Sequence, residues 1–404
     1  MAQKKRKIYV VIIILIFVIY FFTAARPVPR ETVLSVKWIT TSSGGEAGYN
    51  SQNVFPTEEG SDLLTSGVSG TVIPFTLGNR FGYINSEGQF ALDQIKNRDI
   101  YLSRSFWTEY DAEPSVIIIN NINDNKEIII ENAGGYPVLL DNRIFILGPD
   151  QNALSEIDAY GYVKWTYEFS APITSIDAAA GLVVTGSLDG VIEVFNSAGE
   201  RIFNFSPSGS RFSVIFGAAI TRSGSHIGII CGIDPQRFIL FERYGDSGGD
   251  YRVVYHDFLE TGFRHPVRIS FIDEDRRVVF ERQFQNKQTQ TVSLQNGISC
   301  YNIQTKKVMH FPLEGEIAAM DETGDNGFFF LVTSHAFQRK KLIGIRFPPD
   351  RLFGLSRIDA QDAVFLKASF RSENVFLGRT QVSGSSLLIV GGGNELSAFI
   401  LEEK

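Results

Sequence analysis

The feature that most constrains the fold of this 404-residue chain is a rhythm of short apolar segments from about Leu63 to Lys404. Gly, Asn, Asp or Ser separates each segment from the next, as around Thr71–Leu77, Leu182–Thr185 and Phe328–Val332. The apolar residues do not keep a period of about 3.6 residues, so amphipathic helices are not indicated. Short strands bounded by turn-forming residues are typical of all-β proteins, and the sequence therefore predicts an all-β domain over residues 63–404.

The turns recur in a related form along this region. The most similar copies are FGYINSEGQFAL (81–92), SEIDAYGYVKWTY (155–167) and IEVFNSAGERIFNF (192–205). One marker position per hairpin gives a series of eight: Ile84, Ile119, Ile157, Phe195, Phe241, Ile303, Arg346 and Leu401. This amounts to about 43 residues per hairpin, which suits a four-stranded propeller blade. We predict a β-propeller of seven or eight blades, because the 62-residue interval from Phe241 to Ile303 leaves the number open.

A propeller also explains how such hairpins bury their apolar side chains. One four-stranded blade cannot bury both of its faces, whereas a ring of stacked blades buries them and leaves only short edges. We therefore expect the aromatic residues of the hairpins to fill the space between blades: Tyr83, Trp165, Phe195, Phe203 and Phe241.

The central copies resemble two related repeat families. In ITSIDAAAGLVVTGSLDGVIEVFNSAGERIF (173–203), GSLDG followed by VIEVF resembles the WD-type blade, although Phe195-Asn196 stands in place of its Trp-Asp pair. The preceding IDAYGYVKWTYEF (157–169) resembles the blade of quinoprotein-like propellers. One membrane-associated family with that fold is the scaffold lipoprotein of bacterial outer-membrane protein assembly. The resemblance implies a propeller and, by analogy alone, a protein-binding role, but the lipid-attached Cys of that family has no counterpart here.

The N-terminus has the composition of a membrane anchor. Lys4-Lys5-Arg6-Lys7 precedes the apolar run Ile8–Phe22, and Thr23-Ala24-Ala25 extends the uncharged stretch to 18 residues. A helix of that length measures about 27 Å, just enough for a hydrocarbon core of about 30 Å. We predict that residues 1–25 hold cytoplasmic basic residues and one transmembrane helix of the cytoplasmic (inner) membrane, with the propeller in the periplasm or an equivalent extracytoplasmic space. A cleaved signal peptide is the alternative, with Thr23-Ala24-Ala25 as its cleavage site.

Residues 26–62 are predicted to link the anchor to the propeller. Thr32–Thr40 alternates well enough for a strand, which would pair with the C-terminal strand and close the ring. Thr41–Asp62 is rich in Ser, Gly, Asn and acidic residues and has little apolar surface to bury. It is predicted to be a flexible tether or a long surface loop.

The sequence assigns no catalytic, cofactor-binding or metal-binding residues. Gly245–Gly249 (GDSGG) matches the nucleophile loop of trypsin-like proteases, but His226 is the one histidine before Ser247 and lies outside any Ala-Ala-His-Cys motif. We predict a plain hairpin loop there. Asp321–Gly327 is loosely similar to a calcium loop, yet Val332 stands where the bidentate Glu belongs, which favours a turn.

Other polar clusters also have structural interpretations. The five histidines show no paired metal-ligand spacing. Asp273–Asp275 is predicted to be a solvated hairpin tip, and Gln338–Lys341 (QRKK) an exposed loop. Cys231 and Cys300 lie in apolar segments and are predicted to be buried free thiols, with one disulfide as the alternative in an oxidising compartment. A net charge of −7 argues against a nucleic-acid partner.

These observations favour a non-enzymatic platform without a cofactor at the cell envelope. Its propeller would bind an envelope protein through the loops of one face or through the central funnel. The first alternative is an exported hydrolase or lyase whose carboxylates converge in the funnel from several blades. The second alternative is a sensor for a small ligand or sugar, which would need a deep pocket lined by aromatic side chains.

Overall fold

The apolar segments of the sequence form antiparallel strands. The computed structural model describes residues 14, 15, 17, 20, 32–41, 71–140, 142–245, 250–259, 261–286, 293–321, 327–350, 353, 362–382 and 385–403. The chain divides into two compact units, a small one of residues 1–35 and 401–404 and a large one of residues 36–400 that contains most of the strands.

The strands form eight sheets, and each sheet is one blade of a propeller. The strands of blades 1 to 4 follow one another along the chain. Blade 1 has β2 (Val72–Leu77), β3 (Arg80–Asn85) and β4 (Phe90–Ile95); blade 2 has β5 (Asp99–Leu102), β6 (Phe106–Tyr110), β7 (Val116–Asn121) and β8 (Glu127–Glu131). Blade 3 has β9 (Tyr136–Leu140), β10 (Arg143–Leu147), β11 (Ala153–Ile157) and β12 (Val163–Glu168); blade 4 has β13 (Ile173–Ala179), β14 (Leu182–Ser187), β15 (Ile192–Phe195) and β16 (Arg201–Phe205).

Blades 5 to 8 complete the ring, and the last of them uses strands from both ends of the chain. Blade 5 has β17 (Phe212–Ile220), β18 (His226–Ile233), β19 (Gln236–Tyr244) and β20 (Asp250–Leu259); blade 6 has β21 (Ile269–Ile272), β22 (Arg277–Asn286), β23 (Ser293–Asn302) and β24 (Lys307–Pro312). Blade 7 has β25 (Glu316–Met320), β26 (Phe328–Ser334), β27 (Arg339–Arg346) and β28 (Val364–Arg371); blade 8 has β29 (Val375–Val382), β30 (Ser385–Gly392), β31 (Glu395–Glu403) and β1 (Thr32–Thr41).

The propeller therefore has eight blades, the upper value of the predicted range. The eight marker positions of the sequence repeat fall in eight different blades, although Ile303 directly follows its strand, β23. The long interval from Phe241 to Ile303 contains no additional blade. The ten-residue strands β20, β22 and β23 and the connection from residue 260 to residue 268 take up its extra length.

Blade 1 has three strands in the described part of the chain, and they correspond to the second, third and fourth strands of the other blades. Its β3–β4 hairpin carries the Asn85–Gly88 turn, whose counterparts Asp158–Gly161 and Asn196–Gly199 join the third and fourth strands of blades 3 and 4. The direction of β2 agrees: β2 ends at Leu77, and the next residue, Gly78, lies at the same end of the ring as Asp99, where β5 begins. Thus β2 lies beside the axis but runs opposite to the first strands of the other blades.

The three related turns share one arrangement. The side-chain oxygen of the first residue accepts hydrogen bonds of 2.8–3.0 Å from the backbone N–H groups two and four residues later. The fourth residue is a Gly with a φ of 78° to 89°, a backbone conformation that disfavours side chains. Each Gly also lies against the last strand of the preceding blade, with no room for a Cβ: Gly88 against Trp38, Gly161 against Ile129 and Gly199 against Trp165.

The ring closes where β1 lies beside β31 as the outermost strand of blade 8, the pairing that the alternation of Thr32–Thr40 suggested. Trp38 of β1 reaches blade 1, where its indole Nε1 donates a hydrogen bond of 2.8 Å to the carbonyl of Ser86. The same ring covers Gly88. The packing and hydrogen bond of the Trp38 side chain therefore join blade 8 to blade 1.

The core lies between blades. Apolar clusters occupy seven of the eight junctions between neighbouring blades in the described residues. As predicted, Tyr83, Phe195 and Phe241 are fully buried there, and Trp165 and Phe203 pack against the same clusters. The predicted free thiols are confirmed as well: Cys231 and Cys300 are both unpaired and buried. Burial raises the pKa of Cys231 to about 11 and shifts the pKa of Cys300 in the same direction.

Most of the predicted anchor and linker lies outside the described residues. Four residues of the apolar run, Ile14, Leu15, Phe17 and Tyr20, have helical backbone and are more than half exposed. No helix in the described part of the chain combines the length and the apolar character needed to cross a membrane.

Candidate functional site

Two surfaces of the propeller have the character of binding sites: the cavity on the axis and the loop surface at one end of the ring. The larger axial cavity has a volume of about 890 Å³ and lies along β2, β5 and β29. A smaller cavity of about 360 Å³ shares Thr76, Met320 and Phe376 with it and extends toward β13, β17 and β21. The large cavity lies where blade 1 has no described first strand.

The cavity edge of β2 has the features of an edge strand. Leu77 and Arg80 flank the two-residue turn of the β2–β3 hairpin, and pairs along such a ladder alternate between hydrogen-bonded and non-hydrogen-bonded. By this alternation Pro74, opposite Tyr83, turns its nitrogen toward the cavity. Because proline has no N–H, a strand added along this edge would lack one hydrogen bond.

Charged groups lie at the end of the axial cavity where the first strands β5, β17 and β21 end. Arg104, Arg222 and Glu274 are exposed at this end. Asp321 is buried, and its carboxylate accepts a hydrogen bond of 3.0 Å from the guanidinium of Arg379, which also donates to the carbonyl of Phe328. The carboxylates lining the cavity in the described residues are thus one exposed group and one ion-paired group. No group of three or more His, Cys, Asp or Glu side chains in the described ranges is arranged to hold a metal ion.

The acidic turn of blade 6 differs from its prediction as a solvated hairpin tip. Asp273 is 2% exposed and accepts hydrogen bonds from Arg276 and Arg277. The carboxylate of Asp275 accepts from the backbone N–H of Arg222 in blade 5. Asp273, Glu274 and Asp275 all have left-handed backbone, with φ of 55°, 54° and 65°, so the turn folds back on its own arginines and leaves Glu274 exposed beside the cavity. The short spacing between Asp273 and Arg276–Arg277 in the sequence does not reveal that these arginines bind the aspartate.

The basic run at Gln338–Lys341 is also more ordered than predicted. Arg339–Lys341 belong to β27, and the Lys340 side chain is buried and donates to the hydroxyl of Ser334 at 2.9 Å. Lys341 pairs with Glu314 at 2.6 Å. These cations are therefore largely engaged within blade 7.

The remaining sequence motifs give no second cluster of functional groups. Residues 246–249 of the GDSGG string and residues 322–326 of the calcium-like loop lie outside the described residues. His226 is half-buried in blade 5, where its Nδ1 lies 2.9 Å from the hydroxyl of Ser225. Burial lowers the pKa of this imidazole.

One end of the ring, called the upper face here, carries exposed apolar residues, most of them on blades 4 to 7; Val116 of blade 2 is also 51% exposed at this end. It consists of the turns between the second and third strands of each blade and the connections between blades. Large apolar side chains on blades 4 to 7 are at least half exposed there: Leu188 (50%), Phe212 (52%), Phe258 (53%), Leu294 (56%) and Phe337 (94%). Such residues are elsewhere mostly buried, so a row of them across four consecutive blades indicates an interaction surface.

Contacts between the loops bring some neighbouring members of this row close together. Gly190, two residues from Leu188, lies against Ser213, the neighbour of Phe212. The backbone N–H of Arg211 donates to the carbonyl of Asp234 at 3.1 Å, which brings this connection to the next turn of blade 5. Further round, Asn296 of blade 6 donates to the carbonyl of Gly315 at 3.4 Å, and Gly315 lies against the turn that holds Phe337.

The upper face was not predicted residue by residue. Its members are single apolar residues at strand ends and in turns, where no periodic pattern marks them. The one sequence signal is Phe337, an isolated aromatic residue in the segment His335–Arg339, whose other members are Ala336 and three polar residues. Its φ of 59° is unusual for a bulky residue and holds the ring 94% exposed.

A second apolar surface lies on the outer side of blades 2 and 3. Ile118 and Ile129 are cross-strand neighbours on β7 and β8 and are 43% and 50% exposed. Tyr160 and Tyr162 flank Gly161, which lies against the carbonyl of Ile129, and are 82% and 72% exposed. This surface provides a matched comparison for the upper face.

Comparison with known proteins agrees with the geometry. A family model described as "beta-propeller protein" matches residues 1–387. This chain belongs to that β-propeller family. An uncharacterized protein of Treponema pallidum (strain Nichols) is 28% identical over 318 residues, which cover 78% of this propeller chain and 79% of the relative.

Two solved structures have the same fold at low sequence identity. BamB from Moraxella catarrhalis is 10% identical, with a TM-score of 0.51 over 91% of this propeller chain and 100% of BamB. The computationally designed protein Ika8 is 13% identical, with a TM-score of 0.52 over 83% of this chain and 94% of Ika8. The distant relationship expected from the blade pattern of residues 157–169 is thereby confirmed at the level of the fold.

Proposed function

We propose that this protein is a membrane-anchored extracytoplasmic β-propeller that binds an envelope protein through its upper face and has no catalytic activity of its own. The observation that carries the proposal is the row of exposed apolar residues on the upper face of blades 4 to 7. Aromatic residues are enriched at protein interfaces, and three of the five members are Phe. The basic residues and the apolar run of residues 4–22 support the anchor and its orientation.

Crosslinking in cells followed by mass spectrometry tests the binding function. We compare the full chain with Phe258→Ser/Phe337→Ser, which removes two aromatics from the upper face. The matched control is Tyr160→Ser/Tyr162→Ser, which removes two exposed aromatics from the outer side of blades 2 and 3. The expected result is that the same envelope proteins are captured by the wild type and the control but not by the upper-face variant. Loss in the control alone would move the site to blades 2 and 3.

The orientation is tested separately. Alkaline phosphatase fused after Lys404 is active only in an oxidising extracytoplasmic space, so we expect an active fusion. An inactive fusion that is present at normal abundance would refute the proposed topology. This result does not depend on the identity of the partner.

A second candidate function is the binding of a small ligand in the axial cavity. The observation that favours it is the cavity of about 890 Å³, which lies within the usual range of about 300–1,000 Å³ for ligand sites. Thr76 is exposed on its wall, so Thr76→Trp fills part of the space without removing a buried group. A ligand found by thermal-shift screening of the full chain should lose its stabilising effect in this variant.

A further inference from the structure

We propose that Arg237, on the side of blade 5 that faces blade 4 and close to the upper face, binds a carboxylate of the protein partner, an Asp or Glu side chain next to an apolar residue. This inference rests on the proposed function, because it names the chemistry by which the upper face recognises its partner. Its evidence is a buried guanidinium that has no acceptor among the described residues and lies beside an exposed Phe.

The strand register places Arg237 on this side of blade 5. It lies near the start of β19, directly opposite Cys231 on β18 and Phe258 on β20. Directly opposite residues share one face of an antiparallel sheet, and Cys231 packs in the apolar cluster between blades 4 and 5. The Arg237 side chain therefore points toward blade 4. Its Nη1 is 3.6 Å from the position that a Cβ would take on Gly209, an exposed residue of the connection between the two blades.

Comparison with the other buried arginines shows what is unusual about Arg237. Five arginines in the described residues are no more than 9% exposed, and four of them form an ion pair with an aspartate: Arg80 with Asp93, Arg277 with Asp273, Arg282 with Asp257 and Arg379 with Asp321. Arg237 is 9% exposed, yet its Nε and Nη2 are buried without a hydrogen-bond acceptor in the described part of the chain. The other buried arginines show the partner that this site lacks.

An external carboxylate would satisfy this guanidinium. A buried cation without a partner is costly because it has lost its hydration, and a charged hydrogen bond to a carboxylate would offset part of that cost. Nε and Nη2 are buried, so a partner's carboxylate would approach Nη1, which faces the connection at Gly209. Two acidic residues next to this position in the sheet are committed or exposed: Asp257 pairs with Arg282 at 2.8 Å, and Asp234 is exposed. A carboxylate on the partner is therefore the group that best complements Arg237.

The surroundings define the residue next to that carboxylate. Phe258, opposite Arg237 on β20, is 53% exposed. This side of blade 5 thus combines the buried positive charge of Arg237 with an exposed aromatic ring, which suits an acidic residue adjoining an apolar one.

The test uses a photo-crosslinking amino acid in place of Phe258 in the full-length protein, expressed in its own cell. We expect a captured partner whose crosslinked peptide contains Asp or Glu close to the attachment point. Arg237→Met, which keeps the length of the side chain without its charge, should reduce capture by at least about thirtyfold. Changing the partner's acid to its amide should cause a similar loss, with no further loss in the Arg237→Met background.

Measurements of thermal stability distinguish a loss of binding from a loss of folding in these variants. Because Arg237 has no partner in the free protein, Arg237→Met should melt at or above the wild-type temperature. Arg237→Lys provides a second variant that keeps the charge but not the planar fork, and it should retain part of the binding. The matched control is Arg252→Met on the same blade, which removes an exposed arginine paired with Glu242 and should leave capture unchanged.

The outcomes separate this inference from the proposed function. Equal capture by Arg237→Met and wild type overturns the role of Arg237 but leaves the upper face as the binding surface. A crosslinked peptide without an acidic residue overturns it too. Capture from a crosslinker at Thr76 in the axial cavity, with none from Phe258, overturns the role of the upper face. Absence of capture at both positions overturns the binding function itself.

Discussion

The contact between Trp38 and Gly88 leads to a quantitative prediction: Gly88→Ala should destabilise the propeller by about 4–5 kcal/mol. Gly88 has a φ of 84°, and an alanine in left-handed backbone costs about 1–2 kcal/mol. A Cβ at this position would lie 2.8 Å from Cδ2 of Trp38, so the indole must move. The indole is half-buried, and losing half the burial of an aromatic side chain costs about 2 kcal/mol. Losing its hydrogen bond to Ser86 adds about 1 kcal/mol.

The backbone and packing contributions can be measured separately. Gly393 has a φ of 67° and nothing within 4 Å of its Cβ position, so Gly393→Ala reports the backbone strain alone, about 1–2 kcal/mol. In a Trp38→Ala background the clash at Gly88 is absent, and Gly88→Ala should then cost no more than Gly393→Ala. The assay is equilibrium unfolding in urea by far-ultraviolet circular dichroism, with the free energy of unfolding obtained by linear extrapolation.

Two results would refute this reasoning. One is a loss for Gly88→Ala no greater than that for Gly393→Ala, which would mean that Trp38 does not stabilise the junction. The other is an unchanged cost of Gly88→Ala after removal of Trp38, which would mean that the two residues are not coupled. Either result would assign closure of the ring to the backbone pairing of β1 and β31 alone.

Three further predictions concern buried polar groups. Asp321→Asn leaves the Arg379 guanidinium without its carboxylate and should lower the free energy of unfolding by about 3–5 kcal/mol, whereas an unchanged melting temperature would contradict a structural ion pair. Cys231 and Cys300 are buried with raised pKa values, so both should resist alkylation in the native protein and react after denaturation; rapid native labelling would contradict their burial. Burial lowers the pKa of His226, so the unfolded chain binds a proton more readily than the folded protein. The free energy of unfolding should therefore fall as the pH drops below about 6.5. His226→Gln should reduce that pH dependence, and an unchanged pH profile of stability would contradict this role of His226.

The sequence predicted the architecture because each blade repeats a local unit. A turn that begins with Asn or Asp and has Gly three residues later needs particular residues at fixed positions, so Asn85, Asp158 and Asn196 are visible without a structure. The spacing of the turns then gives the blade length. The number of blades stayed open because strand length does not affect turn chemistry, and β20, β22 and β23 are longer than usual.

The candidate sites could not be predicted in the same way because they depend on contacts between distant residues. The axial cavity follows from the reversed direction of β2, which no residue of Val72–Leu77 reveals. The missing partner of Arg237 becomes visible only when the buried arginines are compared in three dimensions. Asp273 was misinterpreted for the same reason, since its burial depends on the folding back of Arg276 and Arg277.

The position of β1 beside β31 also governs when the propeller can finish folding. β1 precedes the other described strands along the chain, and β31 follows them all. Seven blades are formed from strands that are close in sequence, so they can assemble as the chain emerges, but blade 8 cannot be completed before β31 is available. Until then β1 and the edge of blade 1 remain uncovered. A chain that lacks the β30–β31 hairpin would therefore keep both β1 and the edge of blade 1 uncovered. Open sheet edges of this kind are prone to aggregation and proteolysis.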